Sequence, residues 1–132
     1  MKPVYLHDLM THKVYEIPCD NSFMRIGRGE DCEIKVPPVC SDVSRLQAEI
    51  NYRANEIIFI QKSEKSRSFI GNLEDPRPEE VFPKNKKTIY TGDLISMGRL
   101  CQFKLLPYQE GNRLYKEEID ARASDTVVIP SS

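Results

Sequence analysis

The chain has no Cys-x-x-Cys pair, no surplus of either charge and no long apolar run. Each absence removes a class of protein. The four cysteines, Cys19, Cys32, Cys40 and Cys101, stand at irregular gaps. A structural zinc site needs closer pairs, so no metal is expected. Nineteen basic residues against twenty acidic ones give a net charge of -1. A general nucleic-acid binder carries an excess of Lys and Arg, so no nucleic-acid partner is expected. No run of about 18 apolar residues occurs, and no membrane partner is expected. The N-terminal stretch MKPVYLHDLM lacks the hydrophobic core of a signal peptide. The expectation is therefore free thiols in a cytoplasmic protein, or a nuclear one if the source is eukaryotic.

Catalytic patterns are missing as well. No Gly-x-Ser-x-Gly elbow appears. No GxxxxGK phosphate loop appears, and Gly27 and Gly29 stand at a strand end with no helix following. His7 and His12 are the only histidines and have no matched ligands nearby in sequence. Neither an enzymatic activity nor a cofactor is expected.

What is present is a succession of strand signals. Six Gly and nine Pro are spread along 132 residues, which suits short strands joined by turns. Residues 4–9 and 13–18 read as a hairpin. Residues 23–28, 32–36 and 48–53 follow, with Cys32, Ile34 and Val36 on one face and Ala48, Ile50 and Tyr52 on another. Residues 56–62 carry four consecutive apolar positions, and 68–70 form a shorter strand. Residues 73–87 hold three prolines and read as an irregular loop. Residues 87–91 are predicted to pair with 94–97 across Gly92-Asp93, and 101–106 to close the sheet. Ten or eleven short strands of this kind make a two-sheet all-β sandwich.

The expected division is a sandwich over residues 1–107 and a polar tail over 108–132. Residues 114–123 have a weak apolar face for a helix, with Leu114, Glu118 and Ala121 on one side, so a flexible tail is predicted. Its end places Val127, Val128 and Ile129 directly after Thr126. β-Branched residues favour an extended segment there.

The most informative stretch runs from Met24 to Ile50. A strand ends in Gly27-Arg28, and a Pro-Pro loop delivers Ser44-Arg45 just before another strand. A guanidinium and a hydroxyl on neighbouring loops make a small anion site. Hydrogen bonds to a charged group are worth about 1.5–3 kcal/mol each, enough to separate a phosphorylated ligand from its plain form.

This ordered series resembles the forkhead-associated (FHA) domain, a β-sandwich of the FHA/SMAD-like type. The series is Gly27-Arg28, then Ser44-Arg45, then a loop near Ser66 before Phe69-Ile70-Gly71-Asn72, then Gly92-Asp93-Leu94-Ile95 with Gly98. The resemblance implies a phosphothreonine-peptide recognition module, an adaptor in signalling or assembly with a Ser/Thr kinase upstream. It implies a phosphopeptide site of Arg28, Ser44, Arg45, Lys65, Ser66 and Arg67, supported by Gly27 and Gln47. Two positions depart from the family pattern. Gln47 stands where a His is usual, and Lys65-Ser66-Arg67-Ser68 replaces an Asn-Gly that grips the peptide backbone. The alternative is a degenerate domain that docks partners without phosphate. Thr126, with an aliphatic residue three places on, is a candidate phosphosite for self-association through the tail.

Overall fold

The computed structural model describes the chain except residues 73, 76 and 129–132; for residues 122–128 it describes the backbone alone. Among the described residues eleven strands form two sheets. In chain order they are β1 (Val4–Asp8), β2 (Val14–Ile17), β3 (Phe23–Gly27), β4 (Ile34–Lys35), β5 (Ala48–Arg53) and β6 (Glu56–Gln61). Then come β7 (Ser68–Gly71), β8 (Glu79–Val81), β9 (Lys86–Ile89), β10 (Leu94–Met97) and β11 (Cys101–Leu106), followed by helix α1 (Tyr108–Val128). One sheet has the order β2-β1-β11-β10-β7-β8, the other β4-β3-β5-β6-β9. Every pairing is antiparallel except β3 with β4. The chain is thus the two-sheet sandwich that its strand pattern predicts.

The alternating strands supply the core. Ala48, Ile50 and Tyr52 of β5 turn inward, as do Cys101, Phe103 and Leu105 of β11, and all are buried in one core. Burying a side chain of Leu, Ile or Phe size stabilises by about 1.5–3 kcal/mol, so this layer dominates folding. Cys32, Ile34 and Val36 are buried on one face as their alternation predicts. Only Ile34–Lys35 counts as strand, because it lies parallel to β3 and Pro37 follows Val36.

Three expectations are corrected. The 87–91 and 94–97 segments do not pair: β9 joins β6, and β10 joins β7 and β11. Residues between them turn a corner from one sheet to the other. Asp93 holds that corner by accepting from the Tyr90 N–H, and Gly92 takes φ +97°. Ile89 and Ile95 are both buried in the common core, which a flat hairpin would not allow. The 73–87 segment is not all loop, since it contains β8 and the start of β9.

The third correction concerns the tail, which is helical from Tyr108 to Val128. Its early turns cover the outer face of the first sheet. There Tyr5, Val14 and Leu106 pack against Tyr108, Leu114 and Tyr115. Glu118 accepts a hydrogen bond from the Val14 N–H at 3.0 Å. The Tyr5 hydroxyl lies 3.3 Å from both Glu16 and Asn112. Burial, with the Glu16 carboxylate beside it, pushes the Tyr5 phenol up to about 12. Among the described residues no helix is long and apolar enough to cross a membrane.

Candidate functional site

Five loops meet at one end of the sandwich: those after β1, β3, β4, β6 and β10. Leu9 N–H bonds the Gln102 carbonyl, Gly98 N–H bonds that of Arg67, and Arg99 N–H bonds the Asp42 carboxylate. The Met10 sulfur lies 4.0 Å from that of Cys40. The chain positions marked out in the sequence, 27–28, 44–47 and 65–67, all fall in this end.

The seam between the β3 and β4–β5 loops is made by backbone. Arg28 N–H donates to the Ser44 carbonyl at 3.1 Å, and Gly29 N–H to that of Arg45 at 3.0 Å. The Cys32 thiol reaches the same Arg45 carbonyl at 3.2 Å. Burial, then the Asp31 carboxylate, raises that thiol above its usual range. Gly27 is required by this approach, since a Cβ there would stand 2.1 Å from the Arg45 oxygen.

Arg28 is exposed but not free to wander. Its Nε donates to the Val43 carbonyl, which anchors the guanidinium beside Ser44. Its two terminal amino groups have no partner among the described residues. Arg45 and Lys65 are exposed, and their side chains also have no acidic partner there. Three other cations near these loops are engaged. Lys62 faces Glu49 at 3.5 Å, Arg67 faces Glu80 at 3.9 Å and Arg99 faces Asp42 at 3.6 Å. Behind Arg28, Arg25 binds Glu33 at 2.8 Å and Asp31 at 3.2 Å. Hydrogen bonds from the Arg25 side chain and N–H hold the Glu33 carboxyl down at about 2.

Gln47 is fully buried and connects two loops. Its Oε1 accepts from the Ser44 N–H at 2.9 Å. Its Nε2 lies 2.8 Å from Ser68 Oγ, 3.2 Å from the Arg67 carbonyl and 3.3 Å from that of Ser66. Ser66 differs from its assignment as a peptide contact. It is buried, its hydroxyl without a partner among the described residues, while its carbonyl accepts from Gln61 at 2.8 Å. The β6–β7 loop instead offers Ser63, whose Oγ lies 2.5 Å from Ser44 Oγ. No sequence signal marks Ser63, because the contact joins positions nineteen residues apart. Thr126 lies in the last turn of α1, so its backbone is helical where an extended segment is predicted; its side chain lies outside the described residues.

A guanidinium anchored beside a hydroxyl, with two unpaired cations on flanking loops, is chemistry for an anion with several acceptor oxygens. The family model of the FHA domain matches residues 24–98, the span that contains Arg28, Ser44, Arg45 and Lys65. The chain belongs to the FHA domain family. Domains of this family are phosphothreonine-binding interaction modules rather than enzymes. No curated protein matches the chain in sequence. Solved FHA structures share its fold at low identity. The FHA domain of human APLF, in complex with an XRCC1 bisphospho peptide, is 17% identical with a TM-score of 0.64, covering 80% of this chain and 98% of that one. An FHA domain of an Arabidopsis thaliana hypothetical protein is 13% identical at TM-score 0.66, covering 80% and 86%. Mycobacterium tuberculosis EmbR, in complex with a low-affinity phosphopeptide, is 22% identical at TM-score 0.60, covering 80% of this chain and 24% of that one. Among the described residues no group of three or more His, Cys, Asp or Glu is arranged to hold a metal.

Proposed function

We propose that this FHA domain binds phosphothreonine peptides through Arg28 and Ser44, with Arg45 and Lys65 adding charge around the peptide. It serves as an adaptor in a signalling or assembly pathway downstream of a Ser/Thr kinase, in the cytoplasm, or the nucleus of a eukaryote. The observation that carries this reading is the Arg28 guanidinium, anchored by its Nε while both terminal amino groups stay unpaired. Phosphothreonine brings about -1.5 to -2 charges and three acceptor oxygens to such a group. The phosphopeptide complexes of APLF and EmbR support the same reading.

The buried Ser66 favours a looser grip on the peptide backbone than an Asn would give, because its hydroxyl does not face the ligand. The same observation favours a second reading, a surface that docks partners without phosphate. Titration with a degenerate phosphothreonine peptide library and its unphosphorylated counterpart separates the two. The first reading expects the phosphorylated library to bind at least about tenfold tighter, the scale of one charge-assisted hydrogen bond. Equal binding of both libraries supports the second.

A further inference from the structure

The proton of the Ser44 hydroxyl is aimed by Ser63. A serine hydroxyl has one proton and two lone pairs. Ser63 Oγ accepts from the Lys65 N–H at 3.1 Å and from the Ser66 N–H at 3.0 Å. Both lone pairs are then in use. Its proton has one neighbour left, Ser44 Oγ at 2.5 Å. Were Ser44 the donor, Ser63 would accept three times while its own proton, in a residue only 7% exposed, found no acceptor. Ser63 is therefore the donor and Ser44 Oγ the acceptor. The Ser44 proton is released from every protein acceptor among the described residues. Ser44 is half-buried, its backbone N–H is held by Gln47 Oε1 and its carbonyl accepts from the Arg28 N–H, so the free hydroxyl sits on the loop that abuts Arg28.

We propose that Ser63 is a positioning residue of the phosphate site: by donating to Ser44 it makes the Ser44 hydroxyl a pre-set donor. This rests on the phosphopeptide reading above. An acceptor-only phosphate then meets a donor that needs no reorientation. A ligand group that itself donates meets an Oγ already accepting one bond, so the site discriminates by proton polarity as well as by charge.

The test is a double-mutant cycle on the full chain, with one phosphothreonine peptide selected from the library and titrated by calorimetry, and with the melting temperature recorded for each variant. Ser63→Ala should weaken binding about tenfold, by disorienting one hydrogen bond to a charged group. Ser63→Thr keeps the hydroxyl and should restore affinity to within about threefold of the parent. In a Ser44→Ala background, Ser63→Ala should add less than about twofold, because its effect runs through Ser44. Should Ser63→Ala fail to fold, Ser63→Cys keeps the size with much weaker hydrogen bonding and should show the same loss. Full affinity in a folded Ser63→Ala or Ser63→Cys chain overturns the role of Ser63 alone. So does an equal loss in both backgrounds, which would make Ser63 a turn-former only. A parent chain that binds no phosphopeptide overturns the phosphopeptide reading and this role together.

Discussion

At the scale of single residues, the close approach at Gly27 sets what the site tolerates. A Cβ there would meet the carbonyls of Arg45 at 2.1 Å and Ser44 at 2.9 Å, both backbone and both held in the seam. Gly27→Ala must push the Ser44 loop away from Arg28. It should cost about 3 kcal/mol, as overpacking against a fixed neighbour does, and abolish phosphopeptide binding in whatever fraction stays folded. Denaturant unfolding and a binding titration check both halves. Gly27 and Arg28 stood out in the sequence because a strand closes there, and Ser44 because it follows the Pro-Pro loop ahead of the next strand. Gln47 was marked out by the family pattern, which puts a loop-supporting His at its place, although its reach to Ser68 was not. Ser63 was not legible, since hydroxyl-to-hydroxyl contact depends on how two distant loops meet. Ser66 was misread for the same reason: position in the motif does not say which way a side chain turns.

Among the elements, the strand pattern was readable wherever one face is buried and the other wet, as in β5 and β11. It failed at the β9–β10 corner, where a Gly-Asp turn signal is compatible with either a hairpin or a change of sheet. It failed for α1 because the helix contributes few apolar residues and Tyr5 and Leu106 complete the contact from outside it. Gly111 is part of that contact, since a Cβ there would stand 2.4 Å from the Tyr5 ring. Gly111→Ala gains about 1 kcal/mol of helix propensity, yet the overlap should lift α1 off the sheet. The expected sign is faster hydrogen exchange at the Val14 amide, which Glu118 otherwise caps. Unchanged exchange there would mean α1 docks without the Gly111 contact. The β3–β4 loop gives a pH prediction. Glu33 is held down at about 2 by Arg25, so its contribution is fully present above its ordinary range near 4.5. It is lost as pH falls through about 2. Glu33→Gln should lower the melting temperature by about 2 °C or less at neutral pH, because the pair is solvent-screened. The difference from the parent should vanish in strong acid.

For the whole molecule, a net charge of -1 conceals an uneven distribution. The loops at one end leave Arg28, Arg45 and Lys65 without acidic partners among the described residues, while Lys62, Arg67 and Arg99 are paired. Total charge was silent on this local field, which only the assembled loops create. The fold carries the field by bringing distant chain segments to one place: residues 27–29 from one strand end, 43–47 from a long loop and 63–67 from the other side of β6. Amide-resolved NMR tests that convergence. A selected phosphothreonine peptide is titrated into isotope-labelled chain, and the shifting amides are mapped. The largest shifts should fall at residues 28–29, 44–45 and 63–67, be absent with the unphosphorylated peptide and be lost in Arg28→Ala. Shifts centred on α1 or on the β8 and β9 edges, or the same shifts with the plain peptide, would contradict it.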